Sequence, residues 1–156
     1  GQFKLYQYTA IDEFSRVRYL KIYGEKSTYT SYKFLQEVIK RFPFKIYTIR
    51  TDNGPEFTKR LLSKDPNDKT IFEHGLEKAG IHHDIIKPYT PKHNGKVERS
   101  HRKDNERFYL SHCFYSIEDA NKQLQVYLNQ YNNFPMQPLN WKSPKEWLRD
   151  YFNNLK

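Results

Sequence analysis

Two carboxylates, Asp52 and Glu98, stand where they could share a metal ion. Asp52 follows the β-branched and aromatic segment 44–49 and opens a cluster of turn-forming residues, which is typical of the end of a buried strand. Glu98 lies near the start of a predicted helix. Carboxylate oxygens are the ligands that the hard cations Mg²⁺ and Mn²⁺ prefer. A carboxylate at the end of a strand and a second one on a helix could therefore share a metal ion.

Each motif also has a simpler interpretation. The DNG sequence at 52–54 is common in turns, and the NG sequence at 94–95 marks many junctions between a loop and a helix. The histidines suggest no zinc site, because His82 and His83 lie on a predicted strand and the single cysteine is Cys113. One cysteine also excludes an internal disulfide, which fits a reducing compartment.

The charge balance predicts a polyanionic partner. The chain has 27 Lys and Arg against 18 Asp and Glu, a net charge of +9, which favours nucleic acid over an anionic membrane surface. Basic residues are densest in 87–112, around Glu98. The alternative is an ordinary solvated helix face, on which Glu98 and Arg102 form an i,i+4 pair.

A helix that begins near Gly95 has two distinct faces. Helical spacing predicts one stripe that faces the core and another, about 100° away, that faces a site. The first stripe consists of Val97, His101, Asp104 and Phe108, and the second consists of Asn94, Glu98, Arg102 and Asn105.

The elements that would position these residues are strands first and helices last. Segments 4–11 and 17–23 predict an antiparallel hairpin, and a helix is expected from Ser27 up to Pro43. Further predictions are a strand at 44–49, a surface loop at 63–68, a helix at 71–79 that ends at Gly80, a strand at 81–86, and a helix from 95 towards 110.

The last third of the chain reads as helical. Ser116 and Ser143 each precede an apolar periodic segment and are predicted to cap helices at 117–132 and 144–152. A chain of 156 residues with strands, one crossover and these helices predicts a single α/β or α+β domain.

The ordered set of motifs is more specific than any one of them. It comprises AIDEFSR at 10–16, TDNGPEF at 51–57, GI at 80–81, PYTPKHNGKVERSHR at 88–102 and SPKEWL at 143–148. This set resembles the catalytic core shared by retroviral integrases and insertion-sequence transposases, the DDE recombinases, and is closest to the insertion-sequence members. The resemblance covers nearly the whole chain.

The resemblance implies a ribonuclease-H-like α/β fold, a mixed five-stranded sheet flanked by helices, over residues 1–156, with 116–156 as the C-terminal helices of the same domain. It implies that Asp52 is the second acidic residue of the catalytic triad and Glu98 the third. The family's chemistry is DNA strand cleavage and transfer with Mg²⁺ or Mn²⁺, and its members act as oligomers on the ends of mobile elements and on target DNA. A bacterial, nucleoid-associated cytoplasmic protein is expected.

The resemblance also suggests which residues contact DNA. The loop and helix that adjoin Glu98 supply these candidates, since cations there would neutralise phosphates. The expected DNA-binding residues are Tyr89, Lys92, Asn94, Lys96, Arg99, Arg102 and Lys103. An aromatic residue between prolines, such as Tyr89, has the alternative role of packing the loop against the sheet.

The chain departs from the family pattern at two points. The separation between Asp52 and Glu98 exceeds the family's usual spacing, and the polar loop around 63–70 is the natural place for the surplus. The first triad Asp of the family lies upstream of GQFKLYQYTAID, on an opening strand. Asp12 is the alternative first ligand, but it belongs to a different segment and is expected to cap a turn. The chain alone is therefore expected to lack the first strand and to be inactive.

Two other functions remain open at this point. A DNA-binding or assembly module would keep the fold without catalysis. A ribonuclease H-type nuclease would share the metal chemistry, although the HNGKVER and SPKEWL elements disfavour it.

Overall fold

A computed structural model of the chain describes residues 4–86 and 95–156. Within these ranges the regular elements are four strands and five α-helices. In chain order they are β1 (Tyr6–Ile11), β2 (Arg18–Tyr23), α1 (Thr28–Arg41), β3 (Thr48–Thr51), α2 (Ile71–Ala79), β4 (His82–Ile85), α3 (Gly95–Arg107), α4 (Ile117–Asn132) and α5 (Pro144–Asn154).

The antiparallel hairpin is present as predicted. β1 pairs with β2 from Tyr6 opposite Tyr23 to Ile11 opposite Arg18. Asp12 stabilises the connecting turn, because its Oδ2 accepts hydrogen bonds from the backbone N–H and the hydroxyl of Ser15. This is the turn-capping role expected for Asp12.

The second pair of strands is parallel, and its first strand begins later than predicted. β3 pairs with β4 from Thr48 opposite His82 to Thr51 opposite Ile85. The strand predicted over 44–49 overlaps β3 only at residues 48 and 49, so its bounds are wrong, because the ladder is only as long as the four residues of β4. Before it, Phe42 and Phe44 stack at 5.2 Å in an irregular segment that packs on the core.

The strands form two separate pairs rather than one continuous sheet. β1–β2 is an antiparallel sheet and β3–β4 a parallel one, so both strand orientations of a mixed α/β fold occur in the described chain. The fifth strand of the implied sheet is not among the described elements.

Helix boundaries follow the predicted caps closely. Ser27 caps α1 in a reciprocal capping box with Thr30, and Thr70 caps α2 in the same way with Glu73. Gly80 ends α2 with a left-handed φ of 70°. Ser116 and Ser143 accept hydrogen bonds from the backbone N–H groups of Asp119 and Glu146, so α4 and α5 begin where expected. α3 ends at Arg107, three residues short of the predicted Leu110, and a 3₁₀ turn follows.

Two apolar clusters support these elements. The larger one joins the β1–β2 hairpin to α1, α4 and α5, and Leu20, Phe108 and Leu124 are fully buried in it. The smaller one lies under the β3–β4 pair and consists of Leu35, Phe72, Leu76 and Ile81.

Amide side chains of α4 line the outer side of β2. Asn121 accepts a hydrogen bond from the N–H of Ile22 at 2.8 Å and donates to its carbonyl at 2.9 Å. Asn132 does the same for Arg18, at 2.9 and 3.0 Å, and Gln125 donates to the carbonyl of Leu20 at 3.1 Å. These bonds satisfy backbone groups that a neighbouring strand would otherwise pair.

Candidate active site

Asp52 stands directly after β3, at the carboxyl end of the parallel pair. Its side chain is exposed, and Oδ1 accepts one hydrogen bond, from the N–H of Gly54 at 2.8 Å. Asn53 donates from Nδ2 to the carbonyl of Ile86 at 2.7 Å and so ties the turn to the end of β4. The turn therefore restrains Asp52, whose Oδ2 accepts no hydrogen bond from a described residue.

A histidine of β4, His83, hydrogen-bonds to the last residue of β3. His83 Nε2 lies 2.7 Å from the Thr51 hydroxyl, which itself donates to the carbonyl of Asp52. Nε2 must then be the donor to Thr51, since the hydroxyl proton is already used. Burial lowers the pKa of His83 below 6.5, although the charge of Glu73 opposes the shift. A neutral ring therefore holds the backbone next to Asp52.

Glu56 is a residue of this loop that the sequence reasoning missed. It is 6% exposed and pairs with Lys26, Nζ to Oε1 at 3.4 Å. Its carboxylate lies over Gly54, and a Cβ at that glycine would stand 2.5 Å from Oε2. Its place inside the TDNGPEF motif was the only signal in the sequence.

Glu98 lies in the first turn of α3, with its side chain exposed. Arg99, Arg102 and Lys103 are exposed as well, and Lys96 is partly exposed. Within the described ranges, none of these five residues forms a salt bridge, so the Glu98–Arg102 pair of the alternative interpretation is absent. Glu98 is therefore surrounded in the helix sequence by basic side chains that are accessible to solvent. Tyr89, Lys92 and Asn94 lie outside the described residues.

The stripe of α3 predicted to face the core is buried only in its second half, since Val97 is partly exposed and His101 is exposed. Asp104 and Phe108 are 1% and 0% exposed, while Glu98, Arg102 and Asn105 face solvent. Asp104 forms a bidentate ion pair with Arg18, at 2.7 and 2.8 Å, and both side chains are buried. Burial by itself raises the pKa of Asp104, but the hydrogen bonds and charge of Arg18 bring it below its ordinary value.

The donor chemistry of Asp52 and Glu98 fits a hard divalent cation. Both are exposed carboxylates, and neither is neutralised by a described cation. No hydrogen bond joins them, and residues 4–86 and 95–156 contain no group of three or more His, Cys, Asp or Glu side chains placed to hold a metal. The structure thus shows two available carboxylates on separate elements and no complete metal cluster in the described chain.

Comparison with known families gives the broader relationship. Residues 1–91 match a family described as "Integrase core domain", and residues 79–144 match a second family with the same description. The chain belongs to the integrase core family. The resemblance seen in the motifs is thereby confirmed.

Individual relatives of this integrase core agree. The chain is 30% identical over 152 residues to "Putative integrase ORF3" of Spiroplasma virus SpV1-C74, covering 93% of this chain and 42% of that protein. It is 31% identical over 84 residues to the "Insertion element IS476 uncharacterized 39.2 kDa protein" of Xanthomonas euvesicatoria, covering 54% and 21%. The chain thus spans less than half the length of these curated relatives.

Solved structures confirm the fold. The catalytic core domain of BIV integrase superposes with a TM-score of 0.69 at 21% identity, over 96% of this chain and 90% of that one. A chain of the simian T-cell lymphotropic virus intasome in complex with PP2A regulatory subunit B56 gamma gives 0.68 at 22% identity, over 90% and 47%. The predicted α/β integrase-core class is therefore correct. No described helix combines the length and apolar character needed to cross a bilayer.

Proposed function

We propose that this chain is the catalytic core segment of a DNA transposase or integrase, and that the intact protein cleaves DNA strands and transfers them. The placement of Asp52 and Glu98 supports this most directly. Asp52 ends a strand of the parallel pair, Glu98 opens a cation-rich helix, and both carboxylates are exposed and free of ion pairs with described residues.

The proposed cofactor is Mg²⁺ or Mn²⁺, held by Asp52 and Glu98. When bound, such ions activate an attacking hydroxyl and stabilise the leaving oxygen of a phosphodiester. The protein's part is to fix the two acids, through the Gly54 hydrogen bond for Asp52 and the anchoring of α3 for Glu98.

The proposed DNA contacts surround Glu98. Four exposed or partly exposed cations of α3 have no described salt-bridge partner and are available for phosphates. These are Lys96, Arg99, Arg102 and Lys103, and we add Tyr89, Lys92 and Asn94 from the preceding segment. We propose mobile-element ends and target DNA as substrates, a homo-oligomer as the working form, and bacterial nucleoid DNA in the cytoplasm as the place of action.

Activity is proposed for the intact protein rather than for residues 1–156 alone. The described residues contain no group of three or more His, Cys, Asp or Glu side chains that could hold a metal ion. We therefore expect this chain, assayed by itself with Mn²⁺, to give no strand-transfer product. A clear product would contradict that expectation.

The test of the site uses Asp52→Asn and Glu98→Gln in the intact protein, with Glu106→Gln, another exposed acid of α3, as the matched control. Both site variants should abolish strand transfer and retain DNA binding measured by fluorescence anisotropy, while Glu106→Gln should retain both activities. Strand transfer by either site variant would refute the assignment.

The same incomplete metal cluster favours a second candidate, a DNA-binding module without catalysis. That function predicts an intact protein that binds DNA and gives no joining product, with or without the two substitutions.

A further inference from the structure

α3 is unusually polar for a helix that carries an active-site residue. Its sequence, GKVERSHRKDNER, contains one sizeable apolar side chain, Val97, and its two buried residues are Ser100 and Asp104. A helix on a globular core is ordinarily held by a stripe of apolar residues on one face. Within α3 that stripe is absent, and the nearest fully buried apolar side chain, Phe108, follows the last residue of the helix, so another interaction must hold the helix itself.

The buried carboxylate of Asp104 supplies this interaction. It accepts four hydrogen bonds: two from Arg18 on β2, one from Gln7 on β1 at 2.9 Å, and one from the hydroxyl of Tyr127 on α4 at 2.7 Å. The guanidinium of Arg18 also stacks on Tyr131, 3.8 Å from the ring centroid. One side chain therefore joins α3 to both strands of the hairpin and to α4.

A second contact lies one turn closer to Glu98. His101 Nε2 is 2.9 Å from the hydroxyl of Thr9, and Gln7 donates both to Thr9 and to Asp104. Gln7 and Thr9 point to the same face of β1, because side chains two residues apart share a face. β1 thus contacts α3 at two successive turns, through Asp104 and through His101, and His101 is the nearer of the two to Glu98 along the helix.

We propose that the Arg18–Asp104 ion pair is the positioning element for Glu98. A bidentate guanidinium–carboxylate pair is directional and fixes both the rotation of a helix and its position along its axis, whereas apolar contacts tolerate sliding. Asp104 lies six positions after Glu98, about 9 Å along a rigid helix. Small movements at Asp104 are therefore transmitted to the carboxylate of Glu98. This role rests on the proposed metal-binding function of Glu98.

The alternative is that the pair only contributes stability. Replacing a buried ion pair by apolar residues of similar volume is commonly neutral or stabilising. The variant Arg18→Met/Asp104→Leu/Tyr127→Phe removes the charges and the hydroxyl that would lose its partner. It separates the two roles, because stability should survive while directionality is lost. The exposed pair Lys142–Asp150, changed to Met and Leu, is the matched control.

The first measurement is a distance that requires no metal. In a Cys113→Ser background, nitroxides at Lys78→Cys on α2 and Glu106→Cys on α3 report the position of α3, since Lys78, Glu106 and Cys113 are all exposed. Double electron–electron resonance should give a narrow distance distribution for the parent chain and the control, and a broad or shifted one for the triple variant. An unchanged distribution would overturn the proposal.

The second measurement is Mn²⁺ affinity by electron paramagnetic resonance. The triple variant should bind Mn²⁺ about tenfold more weakly or worse, with its melting temperature close to that of the parent. Unchanged affinity in a folded variant would also refute the positioning role. If the parent binds Mn²⁺ no better than Asp52→Asn/Glu98→Gln, the proposed metal site fails, whereas the distance result still decides how α3 is held.

If the triple variant does not fold, the variant Arg18→Lys replaces it in the distance measurement. It keeps the buried charge but cannot donate two parallel hydrogen bonds from one planar group. The distance distribution of α3 should broaden in this variant too, and a narrow one would contradict the proposal.

Discussion

The two candidate metal ligands are supported in opposite ways. Asp52 follows a strand that is held by a backbone ladder and lies on the apolar cluster of Leu35, Phe72, Leu76 and Ile81. Glu98 belongs to a polar helix anchored through a buried ion pair and its hydrogen bonds. One acid is positioned by hydrophobic burial and main-chain pairing, and the other by directional electrostatics.

This difference implies that the two halves of the site can be disturbed separately. The apolar support of Asp52 tolerates small rearrangements of packing, whereas the anchor of Glu98 depends on a charge that has one buried partner. Substitutions in each region should therefore loosen one acid before the other.

The largest effect is expected for Asp104→Ala. It leaves Arg18 charged and buried without its counter-ion, which costs about 3–5 kcal/mol of unfolding free energy. Hydrogen exchange should show that the amides of α3 lose protection while those of β3 and β4 keep theirs.

Leu76→Ala is the corresponding substitution in the apolar cluster under β3 and β4, and it should cost about 2–5 kcal/mol of unfolding free energy. Hydrogen exchange should show that the amides of β3 and β4 lose protection before those of α3. Asp150→Ala, at an exposed ion pair, should leave the midpoint of urea unfolding nearly unchanged. Equal loss of protection in both regions for Asp104→Ala and Leu76→Ala would remove the distinction between them.

A smaller effect is expected for Gly54→Ala. The new Cβ would stand 2.5 Å from a carboxylate oxygen of Glu56, so either that carboxylate or the loop after Asp52 must shift. Because burial and Lys26 restrain Glu56, we expect a cost of about 1–3 kcal/mol. The double variant Gly54→Ala/Glu56→Ala relieves this clash. A double-mutant cycle from urea unfolding should therefore show a favourable coupling energy, and strict additivity would contradict the contact.

The smallest effect is a pH dependence through His83. Its pKa is lowered in the folded protein, so the unfolded chain binds the proton first and the free energy of unfolding falls as the pH drops below 6.5. His83→Gln keeps a donor for Thr51 and cannot titrate. Its loss of unfolding free energy between about pH 7.5 and about pH 5.5 should be smaller than that of the parent. An identical loss would mean that His83 does not contribute. His101, whose pKa is also lowered, remains in both proteins.

What the sequence predicts well is local. The caps at Ser27, Ser116 and Ser143 act on backbone groups within a few residues, so these serines correctly predicted the starts of three helices. The start of β3 could not be predicted in this way, because it is set by pairing with β4, a strand more than 30 residues away.

The support of Glu98 was only half predictable. Periodicity put Asp104 on the face of α3 that meets the core, and it is there. No pattern in the neighbouring sequence indicates that Asp104 pairs with Arg18, which lies 86 residues earlier. A buried charge contradicts the usual assignment of charged residues to the surface, and its partner can be found only in the folded chain.

The amide side chains of α4 that hydrogen-bond to the backbone of β2 have a consequence for association between molecules. An uncovered edge strand is a template on which a strand of another copy can pair, and it promotes both intermolecular sheets and aggregation. Asn121, Gln125 and Asn132 already occupy that edge. Copies of this protein therefore cannot extend their sheets through β2, and any ordered assembly must join at other surfaces.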